Sequence, residues 1–137
     1  MNKNKGFSLV ELIVVVAIMA VLVGILAPAY LSYVEKTRRG TDENMAEEIR
    51  HTVEISAADI CVYDELKGGL NVTLGNGDSI TDIANGKNAF LEAITDTYGS
   101  KTFAIKSKKY ANKGYTITVQ QSSNGSGAAL DVNGSWN

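Results

Sequence analysis

The chain has 137 residues, which at about 100–200 residues per domain allows one domain and an anchor. Hydrophobic residues make up 45% and charged residues 20%, the balance of a folded chain and not of a disordered one. A formal charge of −2 excludes the chain-wide basic character of a nucleic-acid binder, and one cysteine beside one histidine excludes an internal disulfide and a multi-cysteine metal site.

The first predicted element is a membrane helix. After the basic opening Met1-Asn2-Lys3-Asn4-Lys5-Gly6, twenty consecutive residues from Leu12 to Leu31 carry no charge, and about 20 residues suffice for a helix to cross the hydrocarbon of a bilayer. In lipid the backbone must satisfy its hydrogen bonds internally, which overrides the modest helix propensity of the many Val and Ile residues. Lys3 and Lys5 on one flank balance Lys36, Arg38 and Arg39 on the other, so the charge rule leaves the orientation open. Ala27-Pro28-Ala29 has the small-residue spacing of a signal-peptidase site, so a cleaved secretory signal and an uncut signal anchor are both readings of this segment. Neither has a use for Glu11, a carboxylate at the start of an apolar helix where an unpaired charge is costly.

The motif Gly6-Phe7-Ser8-Leu9-Val10-Glu11, preceded by a basic leader and followed by an unbroken apolar run, resembles the processing signature of type IV pilins and pilin-like proteins. The resemblance covers about the first 35 residues. It implies cleavage between Gly6 and Phe7 by a prepilin peptidase that also N-methylates Phe7, with Lys3 and Lys5 kept in the cytoplasm. It also implies subunit assembly through Phe7 and Glu11. Glu11 follows Phe7 by four residues and shares its helix face. A neighbour's Glu11 can meet the new Phe7 ammonium in apolar surroundings, where unmatched charges are strongly disfavoured, and this fixes axial register. Gly24 and Pro28 are expected to kink the helix, since proline removes one hydrogen bond and clashes with the preceding turn.

Helical periodicity continues past the membrane run. Tyr30, Val34, Thr37, Thr41, Met45, Ile49, Val53, Ala57 and Ile60 form one stripe, opposite Arg38, Arg39, Asp42, Glu43, Glu47 and Arg50. One helix of 60 residues from Phe7 to Leu66, about 90 Å long, is expected to stop near Gly68-Gly69. Residues 68–85 read as mainly loop with a short strand at 71–74. Lys87 to Tyr98 reads as an amphipathic helix with Phe90, Leu91, Ile94 and Tyr98 inward, stopped by Gly99. Strand signals follow at 102–106, 115–120 and 128–132, with Asn124-Gly125 as a hairpin turn. The expected fold class is α+β, the type IV pilin fold, with a long helix packed against an antiparallel sheet of three or four strands. The expected divisions are a cleaved leader at 1–6, a transmembrane and filament-core helix at 7–34, its amphipathic continuation at 35–67, and a globular head at 68–137.

Charge is uneven in the head. Residues 42–67 hold eight acids against two bases, while residues 97–130 hold five lysines and no acid. These are either two solvated faces or complementary surfaces that steer one subunit onto the next. On the second reading Lys106, Lys108, Lys109 and Lys113 face Glu43 and Glu47 of a neighbour, and reversing Lys108 and Lys109 to glutamate should impair assembly without unfolding the head. Tyr110 and Tyr115 interleave with the lysines, but strong nucleic-acid binding is not expected, because without Lys3 and Lys5 the chain carries 11 basic and 15 acidic residues. Asn76, Asp78 and Asp82 fit turn or capping roles better than a calcium loop. His51 reads as a surface residue and Cys61 as a buried small hydrophobe. Many pilins of two-membraned bacteria close a C-terminal loop with a cysteine pair, and this chain departs from that, which fits a pilin of Gram-positive type. No catalytic constellation, metal or cofactor is expected.

The function that the resemblance implies is a structural pilin. It would insert in the cytoplasmic membrane and then polymerise with its own kind into a cell-surface pilus, serving adhesion, twitching motility or DNA uptake. Its partners would be the pilus assembly machinery of the inner membrane and minor pilins. The alternatives are a pseudopilin of a type II secretion or competence system and, in another class, a membrane-anchored binding module.

Overall fold

The computed structural model describes residues 6–123 and 129–137, so the expected turn at Asn124-Gly125 and the start of the last expected strand lie outside the described residues. The chain divides at Thr37 and Arg38 into two units.

The first unit is helical from Leu9 onward, and its apolar side chains from Phe7 to Tyr33 are exposed. It belongs to α1, Leu9–Ser56, the first half of which is long and apolar enough to cross a membrane. The start of α1 follows from its sequence. Ser8 accepts the first helical bond from Leu12 through its carbonyl, and the Glu11 carboxylate takes the Ser8 N–H at 2.8 Å. This is a Ser-x-x-Glu capping arrangement, in which the third helical residue reaches back to the cap.

The second unit combines the C-terminal part of α1 with α2 (Ile60–Leu66), α3 (Asn88–Tyr98), a 3-10 turn at Ile80–Ala84 and three strands: β1 (Leu70–Leu74), β2 (Tyr115–Gln121) and β3 (Leu130–Trp136). The sheet is antiparallel in the order β1-β2-β3, with Val72 opposite Ile117, and Ile117 opposite Gly134. β2 alternates as its sequence demands: Tyr115, Ile117 and Val119 are buried, while Thr116 and Thr118 turn away. That buried face meets Ile49 and Val53 of α1, Val62 and Leu66 of α2, Phe90 and Ile94 of α3, and Phe103 in one core. The α+β class and the three-stranded sheet follow the sequence reading.

Four expectations are corrected. First, the long helix is interrupted at Ala57–Asp59, and α2 begins afresh with Asp59 as its N-cap, whose carboxylate accepts from Cys61 N–H at 2.8 Å. An aspartate that bonds the backbone two residues on competes with the helix it would otherwise continue. Second, the face assignments shift. Ile60, placed on the inward stripe, is 79% exposed, whereas Asp42, placed on the polar face, is fully buried. Leu91 and Cys61 are exposed as well, because Phe90 and Ile94 on α3, and Val62 and Leu66 on α2, fill the core-facing positions. Third, residues 102–106 form no strand beyond a single bridge between Ser79 and Thr102. Their donors go elsewhere: Ile105 N–H to Asn76 Oδ1 at 2.8 Å and Lys106 N–H to Asp42 Oδ1 at 2.9 Å. Fourth, the stretch read as mainly loop contains the 3-10 turn Ile80–Ala84, with Ile80 and Ile83 buried.

Gly134 is required by packing. The Tyr115 ring leans diagonally across the sheet over Gly134, and a Cβ there would fall inside the Tyr115 hydroxyl and Cζ. Tyr115 is buried and its hydroxyl donates to Glu47 Oε1 at 3.3 Å, so the ring has little freedom to withdraw. Gly134→Ala is therefore expected to cost about 1–3 kcal/mol, the range for overpacking, measured as a lower denaturation midpoint of the detergent-solubilised chain with an unchanged m-value.

Candidate functional site

Two regions hold the residues singled out by sequence. In the first unit Phe7 is 93% exposed and stands beside the Ser8–Glu11 cap. The sequence reading missed Ser8 as the partner of Glu11, although the Ser-x-x-Glu spacing was present to be read. The capping bond sets the carboxylate at the helix N-terminus, where the helix dipole favours a negative charge. α1 is assigned as helix through Gly24, Pro28 and Gly40. Pro28 has no N–H to offer the carbonyl four residues earlier, which is that of Gly24, so the two residues share one broken rung. One turn on, Ser32 Oγ donates to the Ala29 carbonyl at 2.8 Å.

The second region is the basic loop between Phe103 and β2. Its lysines 106, 108, 109 and 113 are exposed, but the loop itself is tightly held to α1. Asp42 takes two backbone N–H groups, from Lys106 at 2.9 Å and from Ser107 at 2.8 Å. Glu43 accepts the Tyr110 hydroxyl at 2.6 Å and has Lys109 Nζ at 3.9 Å. Tyr110 stacks on Trp136 with ring centroids 4.1 Å apart, which fastens the loop to β3. Glu47 pairs with Arg50 at 2.8 Å and accepts from Tyr115. Burial first, and then the Glu47 carboxylate, push the Tyr115 hydroxyl up to about 12, so it stays a donor throughout the physiological range. Glu43 and Glu47, read from sequence as partners for a neighbour's lysines, thus bond within their own chain. Tyr110 and Tyr115 are buried, so neither is presented for stacking on bases. Asn76 and Asp78 serve turns, with Asp78 accepting from Gly75 N–H at 2.6 Å.

A third constellation was not anticipated. Lys87, at the N-cap of α3, makes no side-chain cap bond. Glu65 of α2 supplies the cap instead, accepting from Ala89 N–H at 3.1 Å and Phe90 N–H at 3.0 Å, while Lys87 Nζ donates to the Glu65 carbonyl. The bond from Phe90 N–H leads the causes that hold the Glu65 carboxyl below its ordinary 4.5. A folded value below the unfolded one gives stability that is complete above the ordinary glutamate range and fades as pH falls through the folded value. Melting temperature followed from pH 6 to pH 3 is therefore expected to fall more steeply in the wild-type chain than in Glu65→Gln.

Comparison with known proteins gives the class. A family model described as the prokaryotic N-terminal methylation motif matches residues 1–27. The fimbrial protein EcpC of Eikenella corrodens is 31% identical over 114 aligned positions, in a match that covers 75% of this chain and 74% of that protein. The type IV major alpha-pilin of Moraxella bovis is 47% identical over 38 residues, 28% of this chain and 24% of that protein, so this match spans about a quarter of the relative. The prepilin peptidase-dependent protein A of Clostridium perfringens is 29% identical over 98 residues, 69% of each chain. No solved structure matches significantly. The chain belongs to the type IV pilin family, and its function is that of a structural pilin subunit.

Proposed function

We propose that this pilin is cut between Gly6 and Phe7 by a prepilin peptidase, N-methylated at Phe7, and inserted in the cytoplasmic membrane through residues 7–34 with Lys3 and Lys5 in the cytoplasm. It then polymerises with copies of itself, served by assembly machinery in that membrane and by minor pilins, into a pilus on the cell surface. In the filament the Glu11 carboxylate of one subunit meets the Phe7 ammonium of another, and the Gly24–Pro28 rung is where the helix bends. Adhesion, twitching motility and DNA uptake are the outputs such a filament serves.

The observation that supports this reading is the exposed apolar length of α1 with a single carboxylate, Glu11, held one turn from Phe7. A bare run of this kind is stable only when lipid or other helices cover it. The test is the N-terminus and intact mass of the chain recovered from cells, followed by electron microscopy of sheared surface filaments. A chain starting at methylated Phe7 and present in long filaments is the expected result. A chain starting at Tyr30, or one retaining Met1, would overturn it, and a processed chain confined to short envelope-spanning assemblies would favour the pseudopilin reading.

A further inference from the structure

Three large apolar side chains are exposed in the second unit among the described residues: Leu91, Ile55 at 61% and Ile60 at 79%. Ile55 and Ile60 bracket the corner where α1 ends and α2 begins. Beside them Ala57, Ala58, Ile60 and Tyr63 line a cavity of about 350 Å³. The corner is rich in acids, since residues 54–65 hold four acids and no base. Glu54 pairs with Arg50 at 3.3 Å and has His51 at 3.5 Å, Asp64 pairs with Lys67 at the end of α2 at 2.7 Å, and both carboxylates remain exposed. Pairs of this kind are weak and screened by solvent.

The basic loop has the opposite character. Residues 101–113 hold five lysines and no acid. Asp42 fixes the loop's backbone by two hydrogen bonds, so its lysines project from a rigid base. A lysine side chain suits a surface that is apolar in the middle and acidic at the rim, because its four-carbon stem covers apolar area while its ammonium reaches a carboxylate. The two surfaces stand apart on one molecule. Asp42, which holds the loop, and Ile55, at the corner, are thirteen residues apart on α1, about 20 Å along the helix axis. No chain can therefore satisfy its own corner with its own loop.

Resting on the filament reading above, we infer that the Ile55–Ile60 corner of one head receives the Lys106–Lys113 loop of a second copy. The contact joins two different surfaces, so it is heterologous. Repeated with a rotation that does not close, such a contact builds an open helical filament and not a ring or a closed dimer. The acidic partners of the lysines are thereby assigned to the exposed Glu54 and Asp64 at the rim of the corner.

The native Cys61 gives a direct test. It is exposed, next to Ile60, and lines a cavity with Ser56 at the end of α1. A disulfide needs Cα atoms about 4.4–6.8 Å apart, and the corner lies about 20 Å along α1 from the anchor of the loop, so a ladder reports bridges between chains. The full-length chain carrying Lys106→Cys is expressed in cells, and its sheared filaments are treated with a mild oxidant and run without reductant. The expected result is a ladder of trimers and longer species, at least tenfold more abundant than in the Cys61→Ser/Lys106→Cys control. Lys113→Cys is run in parallel, in case one substitution stops assembly. Filaments from both variants with no ladder would overturn the contact and leave the filament reading standing. Processed wild-type chain that forms no filaments would overturn the filament reading itself. Variants that melt at the wild-type temperature but make no filaments would support the contact, because the loop lysines are then needed only for assembly.

Discussion

Asp42→Ala is expected to lower the melting temperature of the detergent-solubilised chain by about 15–30 °C. Asp42 is fully buried, and its two oxygens accept from two successive backbone N–H groups of the basic loop. Removing the carboxylate leaves both donors without a partner, one of them on the buried Ser107. Each abandoned donor costs about 1–3 kcal/mol, so about 4 kcal/mol for the pair. In a domain of this size each kcal/mol moves the midpoint by roughly 4–8 °C. Asp42→Asn keeps one acceptor and turns an amide N–H toward the other donor, so it is expected to fall between wild type and alanine. A shift below about 3 °C for alanine would show that the loop stays in place without its anchor.

Glu11→Gln is expected to cut surface filaments by at least tenfold while leaving the chain helical, processed and in the membrane. The Ser8–Glu11 cap gives the glutamate a second role that must be separated from pairing with a neighbour. Glutamine serves a capping box nearly as well as glutamate, but it carries no charge to match an ammonium. Glu11→Ala removes both roles. If filaments are lost in both variants, the charge is what assembly needs. If glutamine assembles normally and alanine does not, Glu11 acts through the helix end alone and the proposed Phe7 pairing is wrong. The measurement is the ratio of sheared to cell-retained pilin, with circular dichroism of the purified chain as the check on helicity.

The apolar run from Leu12 to Leu31 was legible as helix because a lipid-length run removes competing choices: with no water to bond the backbone, it has one solution. β2 was legible for a related reason, since Tyr115, Ile117 and Val119 alternate cleanly with threonines and one face is buried. What escaped were places where a polar side chain takes over a backbone duty. Asp42 looked like one more acid on a wet helix face. Asp59 looked like a helical residue, and residues 102–106 looked like a strand. In each case the structure turns on which N–H a carboxylate or amide accepts from: Lys106 and Ser107 for Asp42, Cys61 for Asp59, and Ile105 for Asn76. The Asp59 bond is local, but those of Asn76 and Asp42 span 29, 64 and 65 positions and leave no period in the chain. The cap on α3 was hidden for the same reason, since its donor and acceptor residues lie 24 and 25 positions apart. Within the candidate site, local spacing singles out Phe7, Glu11, Gly24 and Pro28, while the intrachain engagement of Glu43 and Glu47 depends on how the loop lies on α1.

The loop that leads into the sheet is closed by a carboxylate on two peptide groups and by Tyr110 lying flat on Trp136. None of these links is covalent and none involves sulfur. The head therefore needs no oxidant or disulfide-exchange catalyst to reach its fold, and dithiothreitol should leave its melting curve where it was. Its shape is as available in a reducing compartment as outside the cell.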